Sequence, residues 1–442
     1  MVFIIASLFI ILFLIIYKTS KNDFEFSLIT VTVTLLFFPQ YISILNIRYF
    51  TIINTISLIL NIKYFIANQT PTYHKQYVKY LIIYLGILQF WSVLNGTFLE
   101  TIQLEAFKNI LGYFSIATMC FIYINKVTQI NFLERYLKIF LLIVCIYGIY
   151  CYITNSNIIT TAFNLYFDKR NDILDHFKEE SRGGLAGRIQ GFTEHPLEYG
   201  GAMLCAFFYF LQINLYKKKK LLIDYILFAL ICINIFLSGS RAAIIAFLIG
   251  FALFIYVNKQ IKYKTKIRIT LYFIGLYFIL ATCFSFFDTY SGFIKSIIFF
   301  WENNDSVKGS NFDMRLTQLN ASFDLVSNDT ISYLFGLGDG WVRDYSQRHG
   351  GLHPVLLGFE SILFIGIIEY GIIGFFVLTC GIYYIYFKLA NKYHISNVTK
   401  IFIVSFFIFQ MFTGEYALPT FLSFVSIMIK TDIQLLINKK KI

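Results

Sequence analysis

Apolar runs of about 17–25 residues follow one another along most of this 442-residue chain. Coiled as an α-helix, such a run crosses the roughly 30 Å hydrocarbon core of a bilayer. The runs are continuous and do not alternate apolar with polar residues at a period of two, which excludes a transmembrane β-barrel. Only 14% of the residues are charged and 57% are apolar. A soluble domain of this size has more charged and fewer apolar residues. The sequence therefore predicts an all-α, polytopic membrane protein.

We predict about 12–13 transmembrane helices in a single integral membrane domain, residues 1–442. Their approximate spans are 2–17, 26–46, 48–67, 80–98, 107–125, 139–154, 199–215, 221–238, 241–257, 270–287, 360–387, 400–418 and 419–437. The seven cysteines all lie within apolar segments and lack metal-ligand spacing, so they are interpreted as small buried hydrophobic residues.

Lysine and arginine are concentrated in alternate short loops, for example at 217–220 and 259–268. Short loops that are rich in these residues stay on the cytoplasmic side. The net charge of +12 is thus an insertion signal, and it indicates no nucleic-acid partner. It follows that two long loops, about 155–198 and 288–359, face outward. The second loop contains a plausible amphipathic helix that ends near residue 326.

Two arginines stand out at the outer ends of the predicted helices. Arg188 lies in a Gly-Arg-x-x-Gly segment, where glycines allow close approach of a ligand, just before a helix N-terminus that favours an anion. Arg241 follows a Ser-Gly-Ser turn between two apolar runs. An ionisable side chain in the membrane costs free energy, so its presence there indicates a function. Guanidinium groups bind phosphate in a bidentate way. The simpler interpretations are a solvated loop residue for Arg188 and a snorkelling helix-end residue for Arg241.

His353 precedes Pro354 at the end of the second long loop. An imidazole near neutral pH can accept a proton from a sugar hydroxyl, whereas a loop histidine is more simply a solvated side chain or a helix cap. Glu360 could orient His353 or bind an acceptor hydroxyl. The remaining candidates for the base or for acceptor contacts are His195, Arg343, Arg348 and His349.

Two further carboxylates have simple structural interpretations. Glu369 lies within an apolar run, where it can cap or pair inside the bundle, and Asp339 lies between two glycines, as turn residues often do. The loops contain no Asp-x-Asp motif and no His/Glu cluster at zinc spacing. The sequence therefore predicts no metal and does not support metal-dependent transfer from a sugar nucleotide.

The order of these motifs resembles the O-antigen polymerase and O-antigen ligase superfamily of integral membrane glycosyltransferases. The resemblance covers about residues 183–375. It rests on Gly-Arg-x-x-Gly-Phe-x-x-His-Pro at 187–196, Ser-x-Ser-Arg-Ala at 238–242, Phe-Gly-x-Gly at 335–338, and His-Pro at 353–354 followed by Glu-Tyr-Gly-Ile-Ile-Gly at 369–374.

The resemblance implies a C-type glycosyltransferase-like fold in the bacterial inner membrane, with its active site on the periplasmic face. The implied substrate is an undecaprenyl-diphosphate-linked oligosaccharide, and the implied reaction inverts the anomeric configuration without a cofactor or metal. By position, Arg188 and Arg241 would bind the donor diphosphate and His353 would be the base. Membrane lipid and a chain-length regulator protein are the other partners that the resemblance implies.

Within the superfamily, Pro354 after the histidine and the later Glu360 favour the polymerase branch, because ligases often have Asn or Ser after that histidine. The predicted function is therefore polymerisation of O-antigen or capsular repeat units onto the non-reducing end of a lipid-linked acceptor. Ligation of glycan to lipid A-core or to protein is the first alternative. A lipid-linked oligosaccharide flippase or transporter is the second, but it should show paired broken helices in two related halves, and the charges lie at the outer rim instead.

Overall fold

A computed structural model of the protein describes residues 43–44, 47–67, 71–95, 101–159, 188–217, 221–258, 262–264, 266–268, 312–349, 353–356, 360–414 and 416–439, together with residues 18 and 161. A short antiparallel pair, β1 Ser43–Ile44 and β2 Ile47–Arg48, precedes the first of the helices described here. The helices are α1 Tyr49–Ala67, α2 Thr72–Leu94, α3 Thr101–Tyr123, α4 Val127–Thr154, α5 Pro196–Tyr216, α6 Leu222–Leu237, α7 Arg241–Val257, α8 Phe312–Val326, α9 Thr330–Phe335, α10 Trp341–Arg348, α11 Ile362–Gly374, α12 Cys380–Lys392, α13 Asn397–Thr413 and α14 Leu418–Lys439. A π-helical turn, Phe375–Thr379, joins α11 to α12.

The predicted class is confirmed: this is an all-α polytopic membrane protein. Four helical stretches are long and apolar enough to cross a membrane, namely Thr72–Leu94, Val127–Thr154, Ile362–Lys392 and Leu418–Ile437. Several helices begin earlier than predicted, because their first turns are polar and apolar runs mark only the part within the hydrocarbon. The helices predicted at 2–17 and 270–287, and most of the one at 26–46, lie outside the described residues; residues 43–44 are extended instead. The amphipathic helix of the second long loop is α8, although much of both long loops also lies outside the described residues.

Helix α14 is the centre of the bundle and packs against α3, α5 and α13. Most of its described residues are buried, and several of its polar side chains have protein partners. Ser426 is within 2.8 Å of the Tyr77 hydroxyl, and Asp432 accepts hydrogen bonds from Tyr216 and from Ser396. Buried polar groups need such partners, because water is not available to them.

A cluster of four alternating charges ties α4, α5 and α6 together at one end of the bundle. Lys138 is 2.7 Å from Glu134 and also contacts Asp224, while Lys217 is 3.2 Å from Asp224 and also contacts Glu134. Asp224 is in the first turn of α6, whereas Arg241 follows the last turn of the same helix. At 1.5 Å per residue, the ion cluster and Arg241 are therefore roughly 20 Å apart along the bundle axis.

Helix α11 is broken at Gly371, whose φ of 69° lies in the left-handed region. The segment after α9 docks into this break: the backbone N–H of Leu337 donates to the Ile368 carbonyl at 2.8 Å, and that of Gly338 donates to the Glu369 carbonyl at 3.0 Å. Irregular backbone at membrane depth is tolerated where protein satisfies its polar groups. The glycines of two separate sequence motifs thus form one backbone junction, here called the α9–α11 junction.

Helix α2 closes the same junction from the side. The indole Nε1 of Trp91 donates to the carbonyls of Phe335 and Tyr370, at 2.9 and 3.1 Å. The side-chain amide of Asn95 donates to the Phe335 carbonyl at 3.1 Å. The irregular segment is thereby fixed to two helices of the bundle.

We expect Gly371→Ala to destabilise the protein by about 2–4 kcal/mol, because alanine is strained at positive φ and overpacks a fixed neighbour. The new Cβ would lie 2.4 Å from the backbone carbon of Leu334, which cannot rotate away. Thermal unfolding of the purified protein in detergent measures the effect. Gly86→Ala in α2 is the matched control, because nothing lies within 4 Å of a Cβ there. Equal melting temperatures for the two variants would contradict the described junction.

Candidate functional site

Arg188 packs against the turn that leads into Arg241. The backbone N–H of Ile189 donates to the Leu237 carbonyl at 3.2 Å, which places the Arg188 segment against the end of α6. Gly239 has a φ of +62°, and a Cβ at this position would lie 2.9 Å from Cγ of Arg188. The buried Arg188 side chain therefore passes over the glycine that stands two residues before Arg241.

The two serines of the Ser-x-Ser-Arg motif shape this turn. Ser238 Oγ donates to the Ile235 carbonyl at 2.7 Å and accepts from the Ser240 N–H at 3.2 Å. Ser240 caps α7, because its Oγ accepts from the Ala243 N–H at 3.2 Å. Arg241 is thereby the first residue of α7, where the positive end of the helix dipole adds to its charge.

His195 is the N-cap of α5, and its Nδ1 accepts a hydrogen bond from the Leu197 N–H at 3.1 Å. Its ring stacks on Tyr416, with centroids 4.7 Å apart and an interplanar angle of 23°. Tyr416 lies in the turn between α13 and α14, and the sequence analysis did not single it out. Nothing in its local sequence distinguishes it from the other tyrosines of this aromatic chain.

Charged side chains from separate segments act on the Tyr416 phenol. Burial is the main reason that the pKa of Tyr416 rises to about 12; the carboxylates of Glu360 and Glu198 contribute in the same direction, and the Arg188 guanidinium opposes them. The charges of Arg188 and of Glu360, at the start of α11, are therefore both felt at Tyr416.

Glu360 is paired with Arg315 of α8. The Arg315 guanidinium donates to the Glu360 carbonyl at 3.0 Å and lies 3.6 Å from its carboxylate, which remains half-exposed. Arg315 also lies over the Phe364 ring. The sequence gave no reason to choose Arg315 over other charged residues on the polar face of an amphipathic helix.

His353 and His349 flank Tyr345 of α10, and their hydrogen bonds require different tautomers. His353 Nδ1 accepts from the backbone N–H groups of Val355 and Leu356, at 3.2 and 3.0 Å. His349 Nδ1 faces the Tyr345 carbonyl at 3.1 Å and must donate to it. Neutral His349 therefore has a free lone pair on Nε2, whereas neutral His353 carries its proton there. Burial lowers the pKa of His353, and the neighbouring His349 lowers it further.

The other two arginine candidates lie on α10 itself. Arg348 is exposed and pairs with Asp344 at 2.7 Å on the same helix, and Arg343 is partly buried. Surface pairs of this kind contribute little free energy.

Helix α8 links Glu360 to the segment that carries His353. Arg315, which pairs with Glu360, also donates to Gln318 Oε1 at 3.3 Å. Gln318 in turn donates to the Val355 carbonyl at 3.4 Å, two residues after His353. The structure thus packs Arg188 against the turn that precedes Arg241, stacks His195 on Tyr416, and links Glu360 through α8 to the segment that carries His353.

Asp339 is more than the turn residue that the sequence indicated. It is buried, and its carboxylate accepts a hydrogen bond from the Tyr370 hydroxyl at 2.6 Å. Burial raises the pKa of Asp339 to about 6, and the Tyr370 hydrogen bond opposes this shift. The buried Glu369 accepts from the Val342 N–H at 3.1 Å, which caps the start of α10. Both carboxylates hold α10, and hence the histidines, against α11.

The described residues contain no group of three or more His, Cys, Asp or Glu side chains that could hold a metal ion.

Residues 226–379 match the family model described as O-Antigen ligase. This segment includes Arg241, His353 and Glu360 but begins after Arg188. The match confirms the resemblance to the O-antigen polymerase and ligase superfamily and supports, in general terms, a membrane-embedded enzyme of the glycosyltransferase type. No curated protein matches the chain.

Proposed function

We propose that this protein polymerises O-antigen or capsular repeat units, transferring glycan from a polyprenyl-diphosphate donor to the non-reducing end of a lipid-linked acceptor. The observation that supports the proposal is the packing of Arg188 over Gly239, at the turn that leads into Arg241. Two arginines at one turn, the second of them the first residue of a helix, are suited to a diphosphate.

In this proposal the arginines stabilise the leaving group. As the glycosidic bond breaks, negative charge grows on the diphosphate oxygens, and preorganised donors stabilise that charge most where water is excluded. Arg188 is buried against the Gly239 turn, and the Ser240 cap fixes the helix backbone from which Arg241 extends. Attack of the acceptor hydroxyl from the opposite side inverts the anomeric carbon. The arginines supply the charge stabilisation in this step, so the proposed transfer requires no metal.

We assign the base to His353, with His349 as its competitor. A base needs an unprotonated imidazole nitrogen within reach of the acceptor hydroxyl. The lowered pKa of His353 keeps it neutral near pH 7, but its Nδ1 must leave the two backbone N–H groups before Nε2 can accept a proton. Glu360, half-exposed beside Arg315, is the proposed contact for the acceptor.

We place the protein in the bacterial inner membrane with this site on the periplasmic face, and expect a chain-length regulator protein as a partner. Gel analysis of surface glycan after deletion separates the two branches of the superfamily. Loss of a polymerase leaves lipid A-core that bears a single repeat unit. Bare core, with polymer still lipid-linked, would assign the protein to the ligase branch instead.

The proposed sidedness is tested with single cysteines at two exposed positions, Arg348→Cys and Lys262→Cys. We expect a membrane-impermeant maleimide to label the first in intact spheroplasts and the second only after permeabilisation, because basic short loops stay cytoplasmic. The described native cysteines are buried or partly buried, and labelling of the unsubstituted protein gives the background. The reverse pattern would put the arginine cluster on the wrong side for a periplasmic enzyme.

A further inference from the structure

Hydrogen bonds from two sides hold the backbone that carries Arg188. The Ile189 N–H donates to the Leu237 carbonyl at the end of α6, at 3.2 Å. From the other side, the side-chain amide of Asn157 donates to the Gly191 carbonyl at 2.8 Å. Asn157 is buried and lies just after the end of α4. The segment that begins at Arg188 is therefore anchored both to α6 and to the chain that leaves α4.

The neighbours of Asn157 fix the orientation of its amide. The Tyr147 hydroxyl is 2.8 Å from Asn157 Oδ1, and the Ile159 N–H donates to the same hydroxyl at 2.9 Å. Because a backbone N–H can only donate, the Tyr147 hydroxyl accepts from Ile159 and gives its own proton to Asn157 Oδ1. The NH₂ group of the amide then faces the Gly191 carbonyl, which can only accept. A side chain without an NH₂ group cannot replace Asn157 in this contact.

Aromatic rings restrict the space around the same segment. The Phe192 ring packs on Tyr147 of α4, with ring centroids 4.6 Å apart. A Cβ at Gly191 would lie 2.4 Å from the ring of Tyr199 in α5. The rings thus confine the segment, whereas the Asn157 hydrogen bond sets the position of its backbone, three residues after Arg188.

We propose that Asn157 is a positioning residue for the donor site: its amide holds the Arg188 segment so that the guanidinium meets the donor diphosphate without prior rearrangement. A binding group contributes fully only when it is already in place. Asn157 acts through Arg188 and does not itself contact the donor. This inference rests on the proposed transfer from a diphosphate-linked donor. It adds a residue that lies outside the matched segment 226–379.

Asn157→Leu tests the proposal, because leucine has a similar volume and lacks the amide. We expect the KM for a polyprenyl-diphosphate-linked donor to rise about 3–10-fold, the size of one neutral hydrogen bond. The matched control is Asn61→Leu. The Asn61 amide also donates to a backbone carbonyl at 2.8 Å, that of Ser115, but it does so between α1 and α3, so the donor KM should equal that of the wild type.

Tyr147→Phe is a second, milder variant. It keeps the ring that packs on Phe192 and removes only the hydroxyl that orients the Asn157 amide. The donor KM should rise in the same direction as in Asn157→Leu, but by less. A wild-type donor KM in both variants would overturn the proposal.

A double-mutant cycle separates positioning of Arg188 from a general structural role. If Asn157 acts through Arg188, Asn157→Leu should not raise the donor KM further in an Arg188→Ala protein, because the group that it positions is gone. The same fold-rise in the presence and in the absence of Arg188 would show that Asn157 acts independently of the arginine, and it would overturn the proposal.

Labelling of a cysteine at position 188 tests the positioning without any donor. Arg188 is buried, so a maleimide should label Arg188→Cys slowly in detergent. Addition of Asn157→Leu should raise the rate about 5-fold, whereas addition of Asn61→Leu should not. An unchanged rate with Asn157→Leu would contradict the proposal. Failure of the proposed function looks different: the wild-type protein would then transfer no glycan from any diphosphate-linked donor, while the labelling rate would still respond to Asn157.

Discussion

Turnover is expected to fall by roughly 10²–10³-fold when Arg241 is replaced by lysine, although the charge at this position is kept. Lysine offers one compact ammonium group, whereas arginine offers a planar fork that binds two phosphate oxygens at once. The backbone that carries this fork is held in place, because Ser240 caps the start of α7 and Arg188 packs over Gly239, two residues before Arg241. A flexible lysine side chain cannot reproduce this two-point contact.

Transfer in vitro from a polyprenyl-diphosphate-linked donor measures the loss, and the length distribution of surface glycan reports it in cells. Arg135→Lys is the control, because Arg135 is exposed on α4 at the opposite end of the bundle; it should behave as the wild type. Arg188→Ala should also weaken donor binding, since its proposed partner is already present in the ground state. Wild-type glycan lengths in a normally expressed Arg241→Lys protein would remove this arginine from the donor site.

The second large effect is expected at His353. Substitution by asparagine distinguishes a catalytic base from a residue that only caps the backbone N–H groups. An asparagine side-chain oxygen can accept the backbone N–H groups that His353 accepts now, at 3.2 and 3.0 Å. It cannot take up a proton. If His353 is the base, His353→Asn should retain binding of the donor but lose roughly 10²–10⁴-fold in turnover, the usual contribution of general base catalysis. His353→Ala should lose as much and also some stability, since it removes the cap.

His349→Gln provides the comparison. A nearly active His353→Asn protein together with a 10²–10⁴-fold loss in His349→Gln would move the base to His349, whose tautomer already leaves Nε2 free. The arginine site would stand unchanged in that case, because it does not depend on which imidazole accepts the proton.

The pH profile gives an independent readout of the same assignment. Burial and His349 lower the pKa of His353, so its basic form persists below the ordinary histidine pKa of about 6.5. We therefore expect kcat/KM to stay level at neutral pH and to fall only below about pH 6.5. Replacing His349 with glutamine removes a positive neighbour at low pH. The pKa of His353 should then rise, and the acid limb should move to higher pH. If the acid limb of the kcat/KM profile does not move, His353 is not the group whose protonation lowers activity.

The sequence predicted those features that depend on local signals. An apolar run of sufficient length is a helix in a membrane wherever it occurs, and an arginine such as Arg241 is conspicuous between two such runs. Tyr416 and Arg315 carry no such signal. They become part of the site only because the turn before α14 meets α5, and because α8 lies beside the start of α11. Asp339 lies in a turn, as the adjacent glycines indicate. Its burial and its partner Tyr370 could not be predicted, because Tyr370 belongs to a helix some thirty residues further along the chain.

The way in which α10 is attached has a consequence for how such a protein can diversify. Besides the side-chain bonds of Asp339 and Glu369, it is anchored at the α9–α11 junction by main-chain hydrogen bonds from Leu337 and Gly338 to the broken turn of α11. Main-chain bonds are indifferent to side-chain identity, except where a glycine is needed to let two backbones meet. On the proposed function, substitutions on the surface of α10 that faces away from α11 can accumulate and alter which glycan is accepted, while the two imidazoles keep their positions. Substrate recognition and the proposed proton acceptor could then change independently of each other.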